Sequence, residues 1–562
     1  MKKIFKKICI AVFIIMLFVI IIFGAKKISD KVHKKNITDY TWLTKNVSIE
    51  YNLEFGDRIY DVSKNNDINI YNSNYRKVIK EKYETLKNNS NYTINNPLLI
   101  YNLYGTNLLG FNIYFITSED SYLDYSIIID KENVNNFART LKNDGENNLT
   151  KEHEYQLVGF VKGYVNKLKL ELKNSKGEIL DTQEIKIDLT NLETNSQTFA
   201  EVKNGESEES LENGLYTILG NDSDEQDYVA MYDNYGILRS EIPIIGYRAH
   251  QILFKDNSMY FSISQSKIAK ISRLGEVEKV YSMGHYYLHH DYTFSADGNL
   301  LVLANNLEKD TEEDCIVKIN LETKEVTELI DFEDIFESYV KTCYWDKAGQ
   351  RDEGEDGLDW LHLNSIEYVD GDVYLSSRET SSILKLKNIE TNPELEYIIS
   401  DEDIWKDTEF SDYVYKKVGD FKIHAGQHSV RYISSDEENI YYLAFFNNNY
   451  GKSSSQPDYD YTKIGITNQN SFVGDYSYYY VYKVNETEKT FELVDNIELV
   501  YSGIVSSIQN LENGNILTDS GTAGIYAEYD NNHKLIKQFS LNLNKYMLYR
   551  VLKFDYKELW FN

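Results

Sequence analysis

Between Val229 and the C-terminus a short β-rich unit recurs, and no other feature narrows the fold as much. A strand-forming stretch is followed by Asp, Asn, Glu or Lys at a turn and then by a second apolar strand. VAMYDNYGIL starts at Val229, IAKISRLGEV at Ile268, IVKINLETKEV at Ile316, ILKLKNIETNPEL at Ile383, YVYKVNETEKTF at Tyr480 and IYAEYDNNHKL at Ile525. A unit this small cannot bury its apolar face alone, so the six copies must stack on one another. Hairpin repeats with irregular insertions predict a six-bladed β-propeller.

A second element lies between the copies. It reads HQILFKDNSMYFSIS from His250, HDYTFSADGNLLVLAN from His290, NSIEYVDGDVYLSS from Asn364, HSVRYISSDEENIYYLAFF from His428 and SSIQNLENGNILTDSG from Ser506. Each is a strand, a tight turn carried by DNS, ADG, VDG, DEE or ENG, and a returning strand. The opening polar residue is in phase, at period two, with the apolar residues after it, as His428 is with Val430 and Tyr432. Innermost propeller strands line the central channel, so His250, His290, Asn364, His428 and Ser506 are expected at one channel mouth.

Ahead of the repeats, residues 36–205 alternate apolar and polar in short runs such as DINIY from Asp67 and LKLEL from Leu168. That period argues half-buried strands in a small β-sandwich-like N-terminal domain, with Tyr75–Leu86 as its one helix. The polar stretch from Glu193 to Asn213 reads as a connector. Residues 206–562 then form the propeller. Residues 1–35 are a separate segment: Lys2, Lys3, Lys6 and Lys7 precede an 18-residue apolar run, Ile8–Ala25, which Lys26 and Lys27 close. At about 1.5 Å per residue this run approaches the ~30 Å hydrocarbon thickness. Its end, Phe23-Gly24-Ala25, does not put small residues at both cleavage positions, so an uncleaved transmembrane signal anchor is expected. The large C-terminal part would then stand on the extracytoplasmic face of the cell membrane. Both flanks are basic, so charge does not set that orientation.

The chain has 59 Lys plus Arg against 89 Asp plus Glu, a net charge of -30. Residues 1–35 hold nine Lys and one Asp, which leaves -38 on the rest and argues against a nucleic-acid partner. Three cysteines cannot build a disulfide framework; Cys9 sits in the apolar run, so Cys315 and Cys343 can pair at most once. Nothing in the sequence sets an oligomeric state.

Six of the ten histidines, His250, His289, His290, His362, His424 and His428, fall at or beside the expected strand starts. Singly, each is most simply a blade-start residue bonded to a neighbouring backbone; together they suggest a ligand set or a catalytic set. A metal site has no supporting HExxH spacing. The acidic run DEGEDGLD from Asp352 has Gly354 where a calcium loop needs an oxygen ligand, so it reads as a solvated charge run. The other option is anion chemistry. Arg378, ending the SSR run, carries a planar fork suited to a three-oxygen phosphoryl or sulfuryl group. A neutral imidazole can attack such a group while other imidazoles move protons near neutral pH.

The segments DWLHLNSIEYVDGDVYLSSR (Asp359–Arg378), HHD (His289–Asp291) and GQHS (Gly426–Ser429) resemble the aryl-sulfate sulfotransferase family. NNPLLIYNLYGTNLLGFNIYFIT from Asn95, HEYQLVGFVKGYVNKLKLEL from His153 and YMLYRVLKF from Tyr546 are similar to its N-terminal domain and closing strand. The resemblance implies a six-bladed propeller and sulfuryl transfer from a phenolic sulfate ester to a phenol acceptor, without adenosine-phosphosulfate and without a metal or other cofactor. It places the attacking histidine at His428, where a sulfohistidine would form in a ping-pong mechanism. His290, His362 and Arg378 would stabilise the sulfuryl group, with Asn364 and Tyr549 binding substrate; His289 is the alternative to His290 by one position. The stretch from Asp401 to Gln427 lacks the cysteine pair some members carry. Two rival readings are a non-catalytic surface propeller that binds an anionic ligand or a partner protein, and a metal-dependent hydrolase.

Overall fold

The computed structural model describes residues 37–222, 227–344, 357–557 and 559–562. The expected transmembrane run at 8–25 lies outside them. Among the described residues no helix is long and apolar enough to cross a membrane.

Six sheets of four or five strands follow the N-terminal region, antiparallel throughout except where Lys416–Val418 runs parallel to Thr490–Val500. Four are built consecutively along the chain. The first starts with Leu215–Ile218, Tyr228–Tyr232 and Leu238–Pro243, and takes its fourth strand, Val551–Phe554, from the far end of the chain. The last sheet, from Ser507–Asn510 to Leu535–Ser540, takes an outer fifth strand from Glu201–Asn204. This strand lies inside the stretch read as a connector. Its side chains are all exposed, so no apolar alternation marked it in the sequence. The ring is therefore tied shut at both of its ends, which yields the expected propeller arrangement with six blades.

Successive innermost strands are stitched together by the residue that follows each expected mouth position. Asp291 Oδ2 accepts from the Ile366 amide (3.3 Å), Ser365 Oγ from Val430 (2.9 Å), Ser429 Oγ from Ile508 (3.3 Å) and Ser507 Oγ from Val551 (3.1 Å). Short acceptors satisfy backbone donors that no neighbouring strand can reach. A buried ion pair ties the same strands further: Asp291 Oδ1 accepts from Arg550 (3.0 Å) and from Gln251 Nε2 (3.1 Å).

The N-terminal region has two helices, Tyr40–Asn46 and Ser73–Lys87. Asp39 and Asn72 cap them, each side chain accepting from backbone amides of the first turn. The longer one contains the predicted helix; the shorter one was not legible, because seven residues offer too little periodicity. The eight strands form one connected sheet system rather than two separate ones. Its spine is Phe111–Ile128, whose first half pairs with Leu98–Tyr101 and Thr150–Leu157 and whose second half pairs with Val165–Lys173 and Phe137–Thr140. The register shifts between Ile116 and Ser121, where the strand changes partners. This domain docks on the first two blades through buried polar contacts. Arg239 pairs with Asp233 (2.7 Å) and donates to the carbonyls of Gly159 and Asn135, and Asn112 donates to the carbonyl of Leu274.

Candidate active site

The innermost strands break their own regularity where they reach the channel mouth. The ladder is interrupted between Leu288 and Tyr292, between Leu363 and Ser365, and between His428 and Arg431. These irregularities coincide with left-handed backbone at His290 (φ 52°), His362 (φ 51°) and Ser429 (φ 60°). Each such non-glycine residue costs about 1–2 kcal/mol, and such strain collects at functional sites. Bulges re-aim side chains, so His428 reaches the mouth through a bulge and not through the simple alternation with Val430 and Tyr432.

Four of the expected residues meet there. His290 Nδ1 lies 2.6 Å from the Tyr549 hydroxyl and its Nε2 lies 3.0 Å from Nε2 of His362. The rings of His290 and His428 are 5.8 Å apart. Arg378 joins them indirectly: it binds Asp359 (3.3 Å), and Asp359 binds Nδ1 of His362 (2.8 Å). Asn364 is buried and donates to the carbonyl of Gln427 (2.8 Å), bracing the segment that carries His428. Ser506 is spent on Ser502, and His250 faces Ser262 with its ring edge against Tyr549. His424 lies elsewhere, packed on Phe445 with Nδ1 3.1 Å from the Tyr482 hydroxyl.

The protonation of these groups follows from their partners. Burial pushes His428 down to about 3, so it is neutral at physiological pH. Its Nδ1 faces the Asn448 side-chain oxygen (2.8 Å) and the Gly426 carbonyl (3.0 Å), both acceptors, so Nδ1 holds the proton. Asn448 cannot turn round, because its Nδ2 donates to the carbonyls of Ser502 and Val505. Nε2 of His428 is therefore the atom with the lone pair. Burial and the neighbouring histidines likewise hold His290 well below its ordinary value. His362 goes the other way. Burial and Arg378 oppose its charge, but Asp359 and Glu313 outweigh them and hold it up at about 9. Nε2–H of His362 then donates to Nε2 of His290, and Nδ1–H of His290 donates to Tyr549.

Several residues of this site were not singled out in the sequence. Glu313 bonds His289 Nε2 (2.6 Å) on one oxygen and His362 Nδ1 on the other, so both adjacent histidines, His289 and His290, line the site. Asp359 ends the acidic run read as solvated, yet it is buried and held below the usual carboxylate range, since His362 and Arg378 outweigh its burial. Glu379 grips Arg378 (2.5 Å) and accepts from Ser453 Oγ and the Ser454 amide. Arg248 sits between the rings of Tyr247 and Tyr549, 4.4 and 4.6 Å from their centroids. Only proximity in space marks these residues; in the sequence Glu313 and Asp359 belong to acidic runs, and Glu379 is a single acid in SSRETSS. Cys315 and Cys343 are free thiols, the first buried.

His289, His290, Glu313 and His362 each offer a donor atom within 4.8 Å of the others' and are the residues here that can hold a metal ion. Chemically, the site sets a neutral, oriented imidazole nitrogen near an imidazolium and a guanidinium. Such a set can attack an electrophilic centre and steady charge that builds on its oxygens.

No curated protein matches the chain. Among solved structures it is similar to a Bacteroides caccae protein of unknown function, at 12% identity over 61% of this chain and 99% of that one, with a TM-score of 0.35. A putative 6-phosphogluconolactonase from Bacteroides uniformis is 10% identical over 77% of this chain and 99% of its own, with a TM-score of 0.34. A streptogramin B lyase is 12% identical over 61% and 88%, with a TM-score of 0.31. These likenesses are too distant to bear on function. The arylsulfotransferase (ASST) family profile, by contrast, matches residues 201–556. That match spans more than half of the sequence and every residue of the site, so the chain belongs to the arylsulfotransferase family and is an aryl sulfotransferase in its general activity.

Proposed function

We propose that the protein moves a sulfuryl group from a phenolic sulfate ester to a phenol by a ping-pong reaction through His428. The observation that carries this reading is geometric: Asn448 and the Gly426 carbonyl fix Nδ1 of His428 so that its Nε2 is free, 5.8 Å between ring centres from His290, whose own Nε2 meets that of His362 at 3.0 Å. Nε2 of His428 attacks sulfur, the S–O bond to the aryl oxygen breaks, and the phenolate leaves. The proton shared by His362 and His290 passes to that phenolate. Arg378 and the imidazolium of His362 steady the negative charge on the three sulfuryl oxygens. In the second half-reaction an acceptor phenol returns the proton to the histidine pair and takes the sulfuryl group, so His428 is freed. One pocket serves both phenols in turn, and no nucleotide is needed.

The test is incubation with 4-nitrophenyl sulfate, with and without phenol. Phenyl sulfate should appear, and nitrophenol release should rise with phenol concentration. Release without transfer would favour a hydrolase, and no release at all would favour a non-catalytic binder. We also place the protein at the cell membrane, anchored by residues 8–25 with the propeller outside. A mature chain that begins after Ala25 would contradict that anchor.

A further inference from the structure

One corner of the site is built for a cation rather than for a sulfate ester. Three carboxylates, Glu313, Asp359 and Glu379, are buried around only two cationic groups, Arg378 and His362. Glu313 is wedged between His289 and His362, and the mechanism proposed above gives neither it nor His289 a chemical step. Nδ1 of His289 is buried without a hydrogen-bond partner.

The two remaining imidazoles are already arranged as ligands. His290 and His362 point their Nε2 atoms at each other across 3.0 Å, which leaves a single proton between two nitrogens. Nδ1–H of His290 faces Tyr549, and Nδ1–H of His362 faces Asp359, with Glu313 close to the same nitrogen. An outer acceptor of this kind fixes the tautomer and orientation of a metal-ligating histidine. Zinc binds nitrogen at about 2.0–2.1 Å in a tetrahedral set, so its ligand atoms stand about 3.3 Å apart. The Nε2 pair at 3.0 Å and the His289–Glu313 contact at 2.6 Å are close to that spacing, all four residues offer a donor atom within 4.8 Å of the others', and Glu313 completes the set by swinging its carboxylate from Nδ1 of His362 to the ion. Three imidazoles with one carboxylate suit a divalent transition metal better than calcium or magnesium, which prefer all-oxygen sets.

We infer that His289, His290, Glu313 and His362 bind one divalent transition-metal ion, zinc being the reference case, in place of the proton that His290 and His362 share. The ion takes the Nε2 lone pairs of both, so Nε2–H of His362 is lost to solvent, while the Nε2 proton of His289 moves to its unpartnered Nδ1; the balance is one proton per ion. Because these two imidazoles also serve the sulfuryl group, metal and aryl sulfate exclude each other. Only this last consequence rests on the function proposed above; the binding itself does not.

Full-length protein, stripped with a chelator and freed of it, is titrated calorimetrically with zinc chloride near neutral pH in buffers of different ionisation enthalpy. One ion per chain should bind with release of one proton. His289→Gln and Glu313→Gln should each weaken binding by at least about tenfold, since losing an outer partner alone costs a site that much. With wild-type protein, cobalt(II) should give the visible absorption bands of a low-symmetry nitrogen site, a readout that survives if either variant fails to fold. Zinc should also suppress sulfuryl transfer, and chelator should restore it. Absence of one-to-one binding, equal affinity in both folded variants, or a cobalt spectrum identical to that of the hydrated ion would each overturn the site. An inactive protein that still binds one zinc ion would instead refute the proposed function and leave the metal site standing.

Discussion

Replacing Asp359 by Asn keeps the size and most hydrogen bonds of the side chain but removes one of the two carboxylates that hold His362 charged. In the native site His362 is raised from 6.5 to about 9, a differential stabilisation of its charged form of about 3 kcal/mol. If Asp359 and Glu313 share that work evenly, the substitution removes about 1.5 kcal/mol or more, and the pKa falls by about one unit or more. The sign follows from the role of the group. His362 acts with its proton on, so the reaction should be steady through neutral pH and decline above about 9. His428, pushed by burial to about 3, keeps its lone pair throughout that range and adds no limb near neutrality. In Asp359→Asn the alkaline decline should begin at least about one pH unit lower. The assay is the rate constant of the first half-reaction, measured as a single burst of nitrophenol from 4-nitrophenyl sulfate without acceptor and quenched at fixed pH, so that no phenol acceptor titrates. The same proton also stabilises the fold. His362 protonates near 6.5 when unfolded and near 9 when folded, so its contribution is complete below about 6.5 and is lost as pH rises through about 9. An alkaline limb at the same pH in both proteins, or a burst that quickens as pH rises, would refute the reasoning.

Two further substitutions probe other parts of the account. Arg378→Lys retains charge but loses the fork that reaches Asp359 and Glu379 together, and turnover should fall about 10²-fold, as when one transition-state donor is removed; near-native turnover would remove Arg378 from the reaction. Asp291→Ala leaves Arg550 buried without its carboxylate and should destabilise the protein by about 3–5 kcal/mol in denaturant melts, and a loss below about 1 kcal/mol would show that this buried pair contributes little.

The parts of this molecule that were legible in the sequence are those with a period. Six repeats became six blades, because one blade per repeat is imposed by backbone geometry. Period two along the inner strands pointed to their opening polar residues, yet His290 and His428 come together through interruptions of the ladder that no alternation shows. Closure was less visible. Val551–Phe554 pairs with Leu215–Ile218 over more than three hundred residues of chain, and Glu201–Asn204 is wholly exposed. The histidines stood out because histidine is scarce here, with ten in 562 residues. Their partners did not. Glu313 and Asp359 belong to the runs TEEDC and DEGEDGLD, where an acidic residue is unremarkable in a chain with 89 of them. Asn448 follows a strand in an Asn-rich chain, and its part in fixing the His428 tautomer appears only when the Ser502 and Val505 carbonyls close on it. Resemblance to a family gave the order of the chemistry at His428; the opposed protonation of the imidazoles came from burial and charge in three dimensions.

The covalent step at His428 is the centre of the account. Protein mixed with excess 4-nitrophenyl sulfate and no phenol, then quenched and digested under conditions that spare a phosphoramidate-like N–S bond, should carry one label of about +80 Da, the mass of SO₃, on the peptide that contains His428, with one equivalent of nitrophenol released in step. Added phenol should discharge the label, and His428→Asn should show neither label nor burst. A label on any other residue, or rapid transfer to phenol by the His428→Asn protein, would contradict the account.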